Sequence, residues 1–141
     1  MHKCLRDNVV KISKPCRMEE LLLEQKEAGS IELSPNLLRA CRAERAMFCK
    51  NVAAGSARVF RCLAEHMRTE DFGAACRSQV GYKLQRRQSN WRLDPPLRKA
   101  CRTDVTKLCA VEDLKGTQDG AVYKCMVSWW QKGRSRTGYR E

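Results

Sequence analysis

The chain has 141 residues, of which 31% are charged and only 6% aromatic, with nine cysteines and a formal net charge of +12. That length suits one ordinary domain, but the composition excludes an ordinary apolar core, so covalent staples are expected to supply what packing cannot. No run approaches the roughly 18 apolar residues of a membrane span, and Met1-His2-Lys3-Cys4 has no apolar stretch of the kind a signal peptide needs.

In chain order the signals are helical. Pro15 starts a helix through Met18, Leu21, Leu22 and Gln25 to a stop at Gly29. Ser34-Pro35 reads as a cap with proline at the first helical position. Leu37, Leu38, Cys41, Phe48, Cys49 and Val52 follow at three- and four-residue steps, with Gly55 as the stop. Ser56 is the local candidate to cap a helix carrying Val59, Cys62, Leu63, His66 and Met67, and Asp71 to cap one carrying Phe72, Cys76, Val80 and Leu84. Asp94-Pro95-Pro96 opens the next, with Leu97, Cys101, Val105, Leu108 and Cys109 up to Gly116. Asp119 then precedes Val122, Cys125, Met126 and Trp129. No two-residue alternation is long enough for a strand, and the predicted fold class is all-α, built of tandem disulfide-stapled helical hairpins.

The cysteines impose a second order on these elements. Cys41 to Cys49 and Cys101 to Cys109 are both C-x7-C. Leu37-Leu38-Arg39-Ala40-Cys41-Arg42-Ala43-Glu44 returns as Leu97-Arg98-Lys99-Ala100-Cys101-Arg102-Thr103-Asp104, a period of about 60 residues. On this frame residues 1–33 are the end of one repeat, 34–93 a whole one, 94–130 the start of another, and 131–141 a basic tail off the pattern. The chain therefore reads as a piece of a larger protein. Cysteine this dense in a short chain indicates a disulfide framework made in an oxidising compartment. Structural zinc sites bring two ligands within two to four residues; no such cysteine pair exists, and the only histidines are His2 and His66. Four cysteines allow three pairings. An antiparallel helix pair would set Cys49 against Cys62 beside the turn and Cys41 against Cys76 at the far end. By the same logic Cys109 pairs with Cys125 while Cys101 lacks its partner, and Cys4 and Cys16 are expected to pair upstream of Met1 or with each other.

This frame resembles the cysteine-rich repeat of the Golgi apparatus protein 1 family, also described as cysteine-rich fibroblast growth factor receptor and E-selectin ligand. The resemblance is carried by Leu38-Arg39-Ala40-Cys41, Cys49-Lys50-Asn51-Val52, Cys62-Leu63-Ala64-Glu65-His66 and Cys76. In the next unit it is carried by Ala100-Cys101-Arg102-Thr103-Asp104 through Cys109, and by Val122-Tyr123-Lys124-Cys125. Glu44 stands where the second unit has Asp104. The resemblance implies lumenal arrays anchored by a membrane span elsewhere in a parent protein, residence in the Golgi, and binding of growth factors and selectin-type adhesion ligands.

No glycine-rich phosphate loop, H-E-x-x-H or convincing triad is present, so an enzyme is not expected, nor is a cofactor, a metal or a small-molecule substrate. Asn8, Asn36, Asn51 and Asn90 all lack a hydroxyl residue two positions on, so no N-glycan is expected either. His66, four residues after Cys62, shares a helix face with it, but the matching positions are Asn8 and Trp129, so a histidine beside a disulfide is the simpler reading. Arg77, Lys83, Arg86, Arg87, Arg92, Arg98, Lys99 and Arg102 form a basic stretch opposed only by Asp94, with Tyr82 and Trp91 among them. Lys132, Arg134, Arg136 and Arg140 form a second. Such charge attracts polyanions; sulfated glycans or acidic lumenal proteins suit an oxidising compartment, whereas nucleic acid would need reduced cysteines and an intracellular home. The alternatives to a lumenal protein-binding scaffold are that intracellular basic module, or a truncated fragment with no function alone.

Overall fold

A computed structural model describes residues 1–114 and 120–137, with side chains for 1–113 and 120–133; Gly116, Asp119 and Arg140, and the side chains of Arg134 and Arg136, lie outside the described residues. The described residues are helical and contain no strand. The elements are α1 (His2–Asp7), α2 (Lys14–Gly29), a 3-10 turn Ile31–Leu33, α3 (Pro35–Ala40), α4 (Arg42–Phe48), α5 (Arg58–His66) and α6 (Ala74–Ser89). A second 3-10 turn Trp91–Leu93, α7 (Pro95–Leu108), α8 (Ala110–Leu114) and α9 (Ala121–Thr137) follow. The order repeats: a 16-residue helix, a 3-10 turn, a proline-opened helical segment and a cysteine-bearing helix occur twice. No described helix is long and apolar enough to cross a membrane.

The chain forms two compact units, Met1–Gly81 and Tyr82–Glu141. In the first, Leu37, Cys41, Val59, Leu63, Phe72, Cys76 and Val80 are buried. The second has a core of Trp91, Val105, Cys109 and Val122, with Leu97, Cys101, Tyr123, Cys125 and Met126 packed against it.

Local chemistry sets most helix starts. Ser13 caps α2 by accepting from the Cys16 amide, with Pro15 in the first turn. Asp94 caps α7 by accepting from the Leu97 amide at 3.1 Å. Pro35 opens α3, although Ser34 makes no capping bond with its side chain. Ser56 does not cap α5. Gly55, Ser56 and Ala57 all take positive φ (87°, 49° and 58°), the helix starts at Arg58, and the Arg58 guanidinium donates to the carbonyls of Ala53 and Ala54. This turn is tight enough that the chain uses left-handed backbone where a serine cap would need extended geometry.

The Ala57 amide donates to the Gly29 carbonyl, and in the second unit the Gly120 amide, also at positive φ, donates to the Ser89 carbonyl. Both long helices thus end on the same kind of left-handed junction. Left-handed geometry costs a residue with a Cβ about 1–2 kcal/mol, against about 0.5–1 kcal/mol of extra unfolded-state freedom for glycine. The exposed Ser56 therefore offers a gain: Ser56→Gly should raise stability by about 0.5–1 kcal/mol, read as a higher denaturant midpoint at unchanged slope.

α1 is held by charge. The Arg6 guanidinium, buried to 6% exposure, donates to Glu27 at 2.9 and 3.2 Å and to Glu20 at 3.2 Å, with Glu24 at 4.0 Å. Burial opposes the charge on Arg6, but the carboxylates of Glu27, Glu24 and Glu20 outweigh it and raise its pKa.

Candidate functional site

Three disulfides organise the two units. Cys49 at the end of α4 joins Cys62 in α5 across 13 residues of sequence, and Cys41 at the α3–α4 junction joins Cys76 in α6 across 35. In the second unit Cys109 after α7 joins Cys125 in α9 across 16. The first two nest, one inside the other. C-x7-C spacing along α3–α4 puts its two cysteines about two turns apart, so they serve different partner helices. Cys4, Cys16 and Cys101 are unbridged.

The outer bridge is reinforced by a contact that sequence reading missed. Glu44 is buried at 7% exposure and its Oε1 accepts from the Gly73 amide at 3.0 Å, immediately before α6. A carboxylate at the amino end of a helix meets both an unpaired N–H and the positive end of the helix dipole. α6 starts at Ala74, three residues beyond Asp71, the capping candidate read from sequence, and it is Glu44, from 29 residues upstream, that serves its amino end. A Cβ at Gly73 would meet Glu44 Oε1, so the carboxylate would have to shift to admit one. Phe48 completes the contact, stacking on Phe72 with ring centroids 6.0 Å apart and on His66 at 5.0 Å.

His66 Nδ1 lies 2.8 Å from the Cys62 carbonyl oxygen, one turn earlier, and 3.9 Å from Cys62 Sγ. Cys49, Cys62 and His66 form one cluster of close ligand atoms, and Cys109, Glu112 and Cys125 another. In both, the sulfurs are already joined to each other. A disulfide is not the thiolate that metal binding or nucleophilic attack requires.

The basic residues are distributed unequally. The Arg77 guanidinium donates to the carbonyls of Met67, Thr69 and Phe72, clamping the loop before α6. Arg87 is buried at 8% exposure, and burial pulls its pKa down to about 10, opposed by Asp94. Its carbonyl accepts from the Tyr123 hydroxyl at 2.8 Å, and burial raises the Tyr123 pKa. The Arg92 guanidinium pairs with Asp113 at 2.7 Å, while Trp91 Nε1 donates to the other oxygen of the same carboxylate, so Trp91 belongs to the core. Arg98 donates to the Arg92 carbonyl. Lys99 and Arg102 are exposed on α7, and Lys83 and Arg86 are half-buried on α6. Arg77, Arg87, Arg92 and Arg98 thus direct their charge or donors into the fold. Trp129 is 46% exposed with its Nε1 donating to the Leu108 carbonyl; Lys132 lies over its ring at 5.6 Å, and Trp130 is 60% exposed.

The family model described as "Cysteine rich repeat" matches residues 14–71 and 74–129. Golgi apparatus protein 1 of Homo sapiens is 27% identical over 92% of this chain and 11% of its own length, and that of Gallus gallus 28% identical over 91% and 12%. The Golgi apparatus protein 1 homolog of Caenorhabditis elegans is 28% identical over 74% of the chain and 10% of its own length. The chain spans about a tenth of the length of these relatives. No solved structure matches. The two consecutive matches together cover most of the described helices and all six bridged cysteines, and the chain belongs to the cysteine-rich repeat family.

Proposed function

We propose that this chain is a non-enzymatic segment of a cysteine-rich repeat protein of the Golgi and secretory lumen, acting as a rigid protein-binding scaffold. The observation that carries the reading is the set of three disulfides tying helix to helix in both units. Such units depend on an oxidising compartment, and the relatives carry the Golgi in their names. The ligands are secreted or lumenal proteins of the growth-factor or adhesion type, with sulfated glycans as a further class. Lys99 and Arg102, exposed on α7, provide long-range attraction.

The test is surface plasmon resonance of the oxidised chain on heparan sulfate and on duplex DNA, as a function of salt. Binding to heparan sulfate should weaken steeply with salt. Lys99→Glu/Arg102→Glu should lower affinity about ten-fold, the scale of two exposed charges reversed near a polyanion. A preference for DNA, together with folding when all nine cysteines are reduced, would instead favour the intracellular basic module.

A further inference from the structure

Three positions carry an exposed base in both units. Arg39 and Arg42 lie either side of Cys41, and 60 residues on Lys99 and Arg102 lie either side of Cys101; Arg61 precedes Cys62, and Lys124 precedes Cys125. All six residues are exposed. Among the described residues, none of their side chains makes an ion pair or a hydrogen bond. Recurrence alone can be structural: Arg17 and Arg77, also 60 apart, each donate to the carbonyl five residues earlier. The six have no such bond, so the fold does not account for their charge.

Their surroundings favour an external anion. Arg39 and Arg42, like Lys99 and Arg102, stand three residues apart, a spacing at which like charges repel. The exposed carboxylates nearest in sequence, Glu65 one turn after Arg61 and Asp104 beside Arg102, pair with none of the six. The Cys49–Cys62 bridge ties α5, which carries Arg61, to the end of α4, and Cys109–Cys125 ties α9, which carries Lys124, to the end of α7. Each unit thus presents unpaired bases on both helices of a bridged pair. Exposed neighbours of these bases are small or polar, Ala43 and Ala46 in the first unit and Thr103 and Thr106 in the second. None is the aromatic anchor on which a protein interface depends.

We infer that each unit carries its own binding site for a sulfated glycan: Arg39, Arg42 and Arg61 in the first, Lys99, Arg102 and Lys124 in the second. The inference rests on the lumenal, polyanion-attracting reading proposed above and deepens it, making the glycan a ligand bound once per repeat. A guanidinium offers two parallel N–H donors to a tetrahedral oxyanion, and an ammonium a compact point charge. Sulfate groups spaced along a flexible chain meet such bases without an enclosing cavity. Binding releases the counterions condensed on the glycan, so affinity falls with salt. Lys50, Arg45 and Arg58 do not belong to the repeated set. Lys50 has alanine, Ala110, at the matching position, Arg45 pairs with Glu32, and Arg58 donates to loop carbonyls.

The test is isothermal titration of the oxidised full chain with a heparin hexasaccharide at physiological ionic strength, with the three bridges verified by peptide mapping. Two hexasaccharides should bind per chain. Arg39→Glu/Arg42→Glu/Arg61→Glu should leave one, and Lys99→Glu/Arg102→Glu/Lys124→Glu should leave the other. Arg39→Gln/Arg42→Gln/Arg61→Gln removes charge without adding any and should lose the same site as its glutamate counterpart. Lys11→Glu/Lys14→Glu/Arg68→Glu makes the same change in net charge at exposed bases outside both sites. It should keep both sites with affinities within about three-fold, since charges beyond a Debye length are screened. A single site on the unsubstituted chain, lost only with Lys99, Arg102 and Lys124, would overturn the inference and leave the reading it rests on intact. Equal weakening in all the glutamate variants would likewise overturn it, because net charge alone would then govern binding. No hexasaccharide binding, with duplex DNA still bound, would sink that reading as well.

Discussion

Replacing Cys41 and Cys76 together by serine should cost about 4 kcal/mol of stability, and replacing Cys49 and Cys62 about 3 kcal/mol, from the loop entropy each bridge removes from the unfolded chain. The separations of 35 and 13 residues set that order. Either loss is comparable to the whole stability of a small domain. The physical reason lies in the composition: with 6% aromatic residues and 31% charged, burial alone leaves little surplus over chain entropy. The outer pair carries a further burden, because Cys41 and Cys76 are both fully buried and sit beside Glu44 and Gly73. Two buried serine hydroxyls there would each need a hydrogen-bond partner. Urea unfolding followed by circular dichroism, with the remaining bridges verified by peptide mapping, measures both effects. Equal losses for the two pairs, or an outer-pair loss below 1 kcal/mol, would show that loop closure is not what holds these repeats.

Helix class, the major helix starts and the disulfide-stapled character were legible in the sequence because they depend on local or periodic signals. Pro15 and Asp94 announce their helices through neighbours a few residues away, and the cysteines recur on a fixed period. What was not legible depends on contacts between distant segments. Glu44 reads as an ordinary surface acid of a charged helix, and only the fold brings it to Gly73. Ser56 has the right chemistry for a cap, but the junction to Gly29 forces left-handed backbone through Ser56 and Ala57. Arg77 and Arg87 count towards net charge in any sequence reading, whereas one clamps three loop carbonyls and the other is buried. The phase of the repeat is also not a local property. Dividing at 33/34 and 93/94 keeps Cys41 and Cys76 in one unit, whereas matches over 14–71 and 74–129 put the bridge between two. The same covalent bond is a staple within a unit in one frame and a tie between units in the other.

Gly73→Ala is the substitution that probes this tie most directly. Its Cβ would meet Glu44 Oε1 inside contact distance, on a carboxylate that is 7% exposed and has little room to withdraw. Overpacking of this kind costs about 1–3 kcal/mol. Displacing the carboxylate also breaks its bond to the Gly73 amide, adding about 1 kcal/mol for a buried group left without its partner. The expected loss is therefore about 2–4 kcal/mol. Glu44→Asp alone should cost about 1–2 kcal/mol, because the shorter side chain no longer reaches the amide and leaves a methylene-sized gap. Combined, the two changes should compensate: aspartate retreats by the space that alanine occupies. The double variant should be more stable than the sum of the single effects by at least about 1 kcal/mol, as found for residues in direct contact. The measurement is a double-mutant cycle by urea unfolding at constant redox state. Additive losses would mean that carboxylate length and the missing Cβ are not coupled across the contact between Glu44 and Gly73.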